Sequence, residues 1–234
     1  MNRSALRNML KVVGIIMVVM LPVMLALWFA QLRAVSEISA QLRTFAELAL
    51  NKTERVIQQV DLAREDAEKY QGKVCTPEHR QYMLNVSRGR LFVADLIYAE
   101  GQSFLCSTLF TPDHPYTIPA ANYTRKPDVA IYYFRDTPFF DGYKMIYMQR
   151  GNYVAVVNPL SYSEVMSDDR SLSWGVYDTV SNAFFSVSQK ANISLLHSML
   201  RHQETTFQKG DRFYTIVKSG QRPIAAIRSE EHTS

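Results

Sequence analysis

Cysteine is scarce in this chain: there are two in 234 residues, Cys75 and Cys106. They form no Cys-x-x-Cys pair, which argues against a zinc ribbon or a thioredoxin-like site. Glycine and proline are thin as well, nine of each, and neither occurs in residues 31–71, so nothing there interrupts a helix. The chain lacks His-Glu-x-x-His, a glycine-rich phosphate loop and a Gly-x-Ser-x-Gly elbow, the marks of many zinc peptidases, nucleotide binders and serine hydrolases. Of the histidines His79, His114, His197, His202 and His232, only His197 and His202 are close in sequence. Their separation of five positions suits one helical face poorly, so surface roles and no metal site are expected. Charge is nearly balanced, with 26 Lys plus Arg against 22 Asp plus Glu, a net of +4. Nothing in that balance points to nucleic acid.

What is present first is an apolar run over residues 12–30 without a charge. A helix of that length crosses most of a bilayer's hydrocarbon core. Trp28 suits the headgroup zone, and Pro22 is tolerated in a membrane helix. Arg3, Arg7 and Lys11 precede the run, and no acidic residue occurs before Glu37. The positive-inside rule then keeps the basic tail 1–11 in the cytoplasm and places the chain beyond residue 30 outside it. A cleaved signal peptide is the competing reading. It would have a shorter apolar core and a small-x-small cleavage site, whereas bulky Trp28, Phe29, Leu32 and Arg33 stand here.

Beyond the anchor, Val35, Ile38, Leu42, Phe45 and Ala49 recur at steps of three and four. The stripe then drifts to Val56, Ile57, Val60 and Ala63. One long periplasmic helix over residues 31–71 is predicted, ending at Gly72. Its first half reads as a homodimer seam near the membrane, or as an amphipathic helix packed on its own domain. Residues 77–88 read as a second helix, with Thr76 as N-cap and Pro77 at the first helical position.

From Leu91 onward the chain is rich in strand formers, with 13 Tyr and 12 Phe overall. Hairpins are expected about Gly101, Gly151, Asn182 and Gly220, with a further strand over 129–134 and short helices over 163–167 and 194–201. The fold class is α+β: a transmembrane helix continuing into a long helix, then a PAS-like, mostly antiparallel sheet domain with short helices over 72–227. The aromatic run containing Tyr132, Arg135, Asp136 and Tyr147 could line a small-ligand pocket or pack as core. Outside a bacterial inner membrane, two thiols in one domain usually pair. Spacing does not separate an ordinary staple from a redox switch.

Phe104-Leu105-Cys106-Ser107-Thr108-Leu109 resembles the Cys-Ser-Ser motif of the EAL-type CSS-motif cyclic-di-GMP phosphodiesterases of enteric bacteria. Val74-Cys75-Thr76-Pro77, Tyr132-Tyr133-Phe134-Arg135-Asp136 and Tyr147-Met148-Gln149-Arg150-Gly151-Asn152-Tyr153 resemble that family too. Trp174-Gly175-Val176-Tyr177-Asp178 and Arg222-Pro223-Ile224-Ala225-Ala226-Ile227 extend the likeness over most of the chain. Thr108 replaces the family's second serine and keeps its hydroxyl.

The resemblance implies a periplasmic sensor between two membrane helices and a cytoplasmic EAL domain that linearises cyclic-di-GMP with Mg²⁺ or Mn²⁺. It implies a disulfide between the two cysteines whose state controls activity and proteolytic stability. The partners implied are the disulfide-forming machinery and proteases of the periplasm. No Glu-Ala-Leu motif occurs in residues 1–234, so the chain alone is expected to be inactive as a cyclic-guanylate-specific phosphodiesterase, with no catalytic residue of its own. Residues 228–234 match the translation of a common sequencing adapter and are set apart as a tail, the natural protein being expected to continue. A ligand-binding periplasmic receptor using the aromatic pocket is the alternative function, and a purely structural envelope protein is a third.

Overall fold

The computed structural model describes residues 3–109, 111, 114–118, 120–125, 129–135, 142–162, 172–180, 183–187, 206–209, 212–220 and 224–231. One helix, α1 (Arg3–Ala67), runs from the basic tail through the apolar stretch and into the folded domain without a break. Large apolar side chains from Ile16 to Phe29 are exposed, and this is the described helix long and apolar enough to cross a membrane. Burial begins at Leu42, and Ala49, Val56, Val60, Ala63 and Ala67 are fully buried. Those steps of three, four and seven keep one stripe facing the sheets. In the stripe read as a dimer seam, Leu42 and Ala49 are covered by the chain's own domain, while Val35, Ile38 and Phe45 are half-buried.

The helix ends at Ala67, four residues before the expected Gln71. Its last amides turn from the helical pattern to a tighter one, Lys69 N–H to Asp66 O at 3.2 Å and Tyr70 N–H to Ala67 O at 3.2 Å. The Tyr82 hydroxyl of the next helix donates to the Asp66 carbonyl at 2.8 Å, and this tertiary bond satisfies a carbonyl the helix would otherwise leave open. Helix α2 (Pro77–Arg88) has its predicted bounds, with the Thr76 hydroxyl accepting from His79 N–H at 3.3 Å.

The strands divide into two antiparallel sheets. The first holds β1 (Asp95–Glu100), β2 (Ser103–Ser107), β3 (Tyr116–Thr117), β4 (Tyr123–Arg125), β5 (Val129–Arg135), β6 (Met145–Arg150) and β7 (Tyr153–Val157) in the order β3-β2-β1-β7-β6-β5-β4. The second holds β8 (Leu172–Asp178), β9 (Ala183–Val187), β10 (Thr206–Lys209), β11 (Arg212–Lys218) and β12 (Ile224–Glu231) in the order β10-β11-β12-β8-β9. Hairpins form at the predicted turns about Gly101 and Gly151. Each is a two-residue loop whose glycine takes a positive φ (+61° and +56°), which such loops favour because it matches the strand twist.

Three short strands, β3, β4 and β10, are not legible in the sequence, and a 3-10 turn (Pro159–Tyr162) precedes the stretch 163–167. The expected helices at 163–167 and 194–201 lie outside the described residues. Strand β12 continues to Glu231, pairing Arg228 with Trp174 and Glu231 with Arg212, so it enters the segment set apart as a tail. There it is an inner strand, paired on one side with β11 and on the other with β8.

Both sheets lie against α1. Ala46, Ala49 and Leu50 share one core with Val176, Ile224 and Ala226, and the same core continues through Val60 and Ala63 to Leu96, Tyr98, Cys106 and Ala155. The opposite faces carry cores of their own: Ile97, Phe104, Tyr132, Tyr147 and Val154 on the first sheet, and Tyr177, Phe184, Tyr214 and Ile227 on the second.

Candidate functional site

Cys106 lies one residue before the end of β2, on the face turned toward the helices. Its cross-strand neighbour is Tyr98 on β1, and Tyr98 in turn faces Tyr153 on β7. Side chains directly opposite on adjacent strands share a face, so these three form a row. Helix α2 begins over that row. Cys75, immediately before its N-cap, is joined to Cys106 by a disulfide with a Cα–Cα distance of 5.6 Å. Cys106 is buried and Cys75 half-buried. The bond therefore fastens the start of α2 to the second strand of the first sheet.

Cys75 holds φ at +58°, a left-handed conformation that costs a non-glycine residue about 1 kcal/mol or more. Its N–H donates to His79 Nδ1 at 2.9 Å. Accepting at Nδ1 leaves the imidazole proton on Nε2, which donates to the Tyr153 hydroxyl at 3.0 Å. His79 is fully buried and ringed by aromatics, with centroids of Tyr70 at 4.6 Å, Tyr98 at 5.4 Å and Tyr153 at 5.9 Å. Burial lowers its pKa, so the ring is neutral. Burial likewise pushes the Tyr153 hydroxyl up to about 12, which keeps it protonated. The surface role expected for the histidines does not hold for His79: the helix that Thr76 starts turns this ring onto the sheet. His114 is exposed.

The other two residues of the Cys-Ser-Thr triplet both hydrogen-bond the buried Asp95 carboxyl through their side chains. Ser107 Oγ accepts from Leu109 N–H at 3.0 Å and turns the chain out of β2. Thr108 holds Asp95, fully buried at the start of β1. Asp95 Oδ1 accepts from Leu96 N–H at 2.7 Å, from Thr108 N–H at 3.1 Å and from the Thr108 hydroxyl. Desolvation still outweighs those bonds and raises the Asp95 pKa to about 6. A threonine here does what a serine would, since the bond needs the hydroxyl alone.

The residues of the expected aromatic pocket fall on the first sheet. Tyr132 and Tyr147 are direct cross-strand partners on β5 and β6 and are both buried. The Tyr132 hydroxyl donates to Gln149 Oε1 at 3.0 Å, and Gln149 Nε2 donates to the carbonyls of Gly101 at 2.7 Å and Gly151 at 3.2 Å, linking the two hairpin turns. Arg135 ends β5, with its side chain outside the described atoms, and Asp136 lies outside the described residues.

Sequence reasoning pairs the cysteines in one domain but misses His79, Tyr98, Tyr153 and Asp95. The Cys75-x-x-x-His79 spacing across a helix start is a usable signal for the first. Nothing local marks the tyrosines or Asp95, which strand pairing alone brings to the site.

Residues 39–232 match the family described as the CSS motif domain associated with EAL. The chain belongs to this family. Among curated relatives, the CSS domain is 24% identical over 152 residues to the probable cyclic di-GMP phosphodiesterase PdeB of Escherichia coli K12. That match covers 65% of this chain and 30% of the relative, so the chain spans about a third of the relative's length. Among solved structures, the CSS domain is similar to the extracellular domain of the putative histidine kinase rpHK1S-Z16, with a TM-score of 0.57, 9% identity, and coverage of 87% of this chain and 96% of that one. It is also similar to an extracellular ligand binding receptor from Desulfohalobium retbaense, with a TM-score of 0.50, 8% identity, and coverage of 81% of this chain and 39% of that one. At such identities the likeness is one of fold: a long N-terminal helix carrying antiparallel sheets.

Proposed function

We propose that this CSS domain is the redox-sensing input of a membrane-bound cyclic-di-GMP phosphodiesterase. The observation that carries the reading is the position of the Cys75–Cys106 bond. It fastens the segment after α1 to the first sheet, and α1 itself runs unbroken to the apolar stretch. Opening the bond frees residues 68–76 to move while the sheet keeps its own ladders, and α1 then shifts relative to the membrane. Asp66 reinforces the junction through Arg90 of the following turn and Lys69, and Tyr82 donates to its carbonyl. The redox state of one bond thus bears on the helix that leads out of the domain.

The remaining parts of the proposal rest on charge pattern and resemblance. Arg3, Arg7 and Lys11 place the N-terminus in the cytoplasm and the two sheets in the periplasm of the inner membrane. Disulfide-forming machinery would oxidise the thiols there, and proteases would remove the loosened reduced form. Two copies would associate along α1 on the membrane side of Leu42. Cyclic-di-GMP and Mg²⁺ or Mn²⁺ would belong to the EAL domain that the resemblance implies. The described Cys75, His79 and Cys106 are sulfur and nitrogen donors, unsuited to those oxygen-seeking ions.

The test is made in the full-length protein carrying its catalytic domain. Cys75→Ala, Cys106→Ala and the double variant should each match the reduced wild type in phosphodiesterase rate and in proteolysis, and none should respond to reductant. A double variant with an unchanged redox response would overturn the proposal. A reporter fused after residue 70 that works only in the cytoplasm would overturn the topology. Binding of a metabolite by calorimetry, indifferent to the cysteines, would favour a ligand receptor instead.

A further inference from the structure

The corner of the first sheet brings together three sulfur and nitrogen donors, His79 on α2, Cys106 on β2 and Cys75 on the segment that precedes α2. The sulfurs of Cys75 and Cys106 and a ring nitrogen of His79 all lie within 4.8 Å of one another. We propose that, once the disulfide is reduced, these residues form a Cys₂His binding site for a thiophilic metal ion such as Zn²⁺. The inference rests on the redox reading above to the extent that the bond must open.

Three features of the corner fit a metal and are not needed by a simple staple. The donor set is the first. Thiolate and imidazole are the ligands Zn²⁺ prefers, and about 2.3 Å to sulfur and 2.0–2.1 Å to nitrogen put tetrahedral donors roughly 3.3–3.8 Å apart. The sulfur–nitrogen distances, none above 4.8 Å, exceed that spread by at most about one ångström, and cleavage lets the sulfurs part from bonding distance. The orientation of His79 is the second. Its Nε2–H is held by the Tyr153 hydroxyl, so the lone pair is on Nδ1, where it now accepts the Cys75 N–H at 2.9 Å; movement of the Cys75 segment after reduction would release that bond and free the lone pair for the ion. A metal-bound histidine almost always has its other nitrogen held in this way. The third is the division between fixed and movable ligands. Cys106 and His79 are fully buried on a strand and a helix, whereas Cys75 is half-buried on the connecting segment. Cys75 can therefore swing to close the site and gives the ion its way in.

The chemistry balances in two steps. A dithiol reductant delivers two electrons and two protons to the Cys75–Cys106 bond, leaving two thiols and a cyclic disulfide of the reductant. The ion then binds both sulfurs as thiolates and releases the two thiol protons to solvent. A bound ion would hold the corner closed in the reduced state and block re-formation of the disulfide, so availability of the metal becomes a second input to the same switch.

The full chain in detergent micelles, reduced under inert gas and freed of reductant, provides the test. Co²⁺ serves as the spectroscopic probe and Zn²⁺ as the competitor. One equivalent of Co²⁺ should produce an intense thiolate-to-metal charge-transfer band, Zn²⁺ should abolish the band, and Zn²⁺ should slow disulfide re-formation at least tenfold. Cys75→Ser should remove most of the band. Tyr153→Phe, a mild change that keeps the ring packing, should weaken Zn²⁺ binding about tenfold through loss of the orienting bond. A folded protein with two titratable thiols and no band would overturn the metal site while leaving the redox reading intact. A folded protein whose thiols cannot be liberated would overturn both. Equal Zn²⁺ affinity in a folded His79→Gln variant would remove histidine from the site and overturn the inference as stated.

Discussion

The two sheets share an antiparallel build and a single helix to lean on, yet they are held in different ways. The first sheet meets the end of α1 through buried polar and covalent ties: the Cys75–Cys106 bond, the His79–Tyr153 contact, and Arg64, whose guanidinium reaches the Met148 carbonyl of β6 at 3.5 Å while pairing with Asp61. The second sheet meets α1 nearer the apolar stretch through β11 and β12, mainly by apolar packing, with Ser219 donating to Glu54 as its described side-chain tie. Polar and covalent ties are directional and can be switched by chemistry, whereas apolar packing is non-directional and changes little with redox or pH. The half farther from the apolar stretch thus carries the ties that chemistry can switch, and the half nearer to it is held mainly by apolar packing.

The sharpest way to break that contrast is to remove the crosslink. Cys106→Ala should cost roughly 3–4 kcal/mol by returning loop entropy to the unfolded chain. Hydrogen exchange should then quicken in β1, β2 and α2 well before it does in β11 and β12. Equal quickening in both sheets would mean that they unfold as one unit and that the contrast has no energetic content.

Acid should also separate the halves. The Asp95 pKa stands at about 6 because burial disfavours the charge, so the carboxylate form is the less stable one in the fold. Its contribution is fully present below about pH 4 and is lost as pH rises through about 6, a swing of roughly 3 kcal/mol. Asp95→Asn keeps an acceptor for Thr108 and should flatten this part of the curve, read from urea midpoints between pH 4 and 7. A wild type and variant with parallel profiles would remove Asp95 as the source.

Arg64 allows a finer cut. Its side chain is 2% exposed, whereas Asp61 is 30% exposed. Desolvation lowers the Arg64 pKa, and the Coulombic attraction and hydrogen bond of Asp61 offset part of that. Asp61→Asn leaves a buried cation without its counter-charge and should cost about 2 kcal/mol, less than for a wholly buried pair. Arg64→Met should cost less than Asp61→Asn, since the carboxylate left behind can reach water. The reverse order would place the value of the pair in the packing of the arginine stem. On the second sheet, Ser219→Ala should cost about 1 kcal/mol and leave the first sheet's exchange unchanged.

Much of this architecture is legible along the chain because its signals are local. The apolar run, the uninterrupted period of α1, the Thr76-Pro77 start of α2 and the glycines at 101 and 151 each act within a few residues. The division of the strands into two sheets is not local. Whether β8 pairs with β12 rather than with β7 depends on which edges the folded chain presents, and the pattern within each strand is the same either way. The end of α1 escapes a sequence reading for a related reason, since Tyr82, well beyond the helix end and on another helix, takes up the Asp66 carbonyl that closes it.

The sequence by itself determined the membrane-length helix, the α+β class, the family and the two cysteines as a pair in one domain. Each follows from composition, period or a run of adjacent residues, and backbone sterics and the hydrophobic effect read those directly. Only the tertiary structure decided that the pair sits against a neutral, buried histidine oriented by Tyr153, and that Thr108 holds a buried aspartate. Those groups come from α2, β1, β2 and β7, and only the register of three strands and the seating of one helix on them bring their atoms within bonding reach.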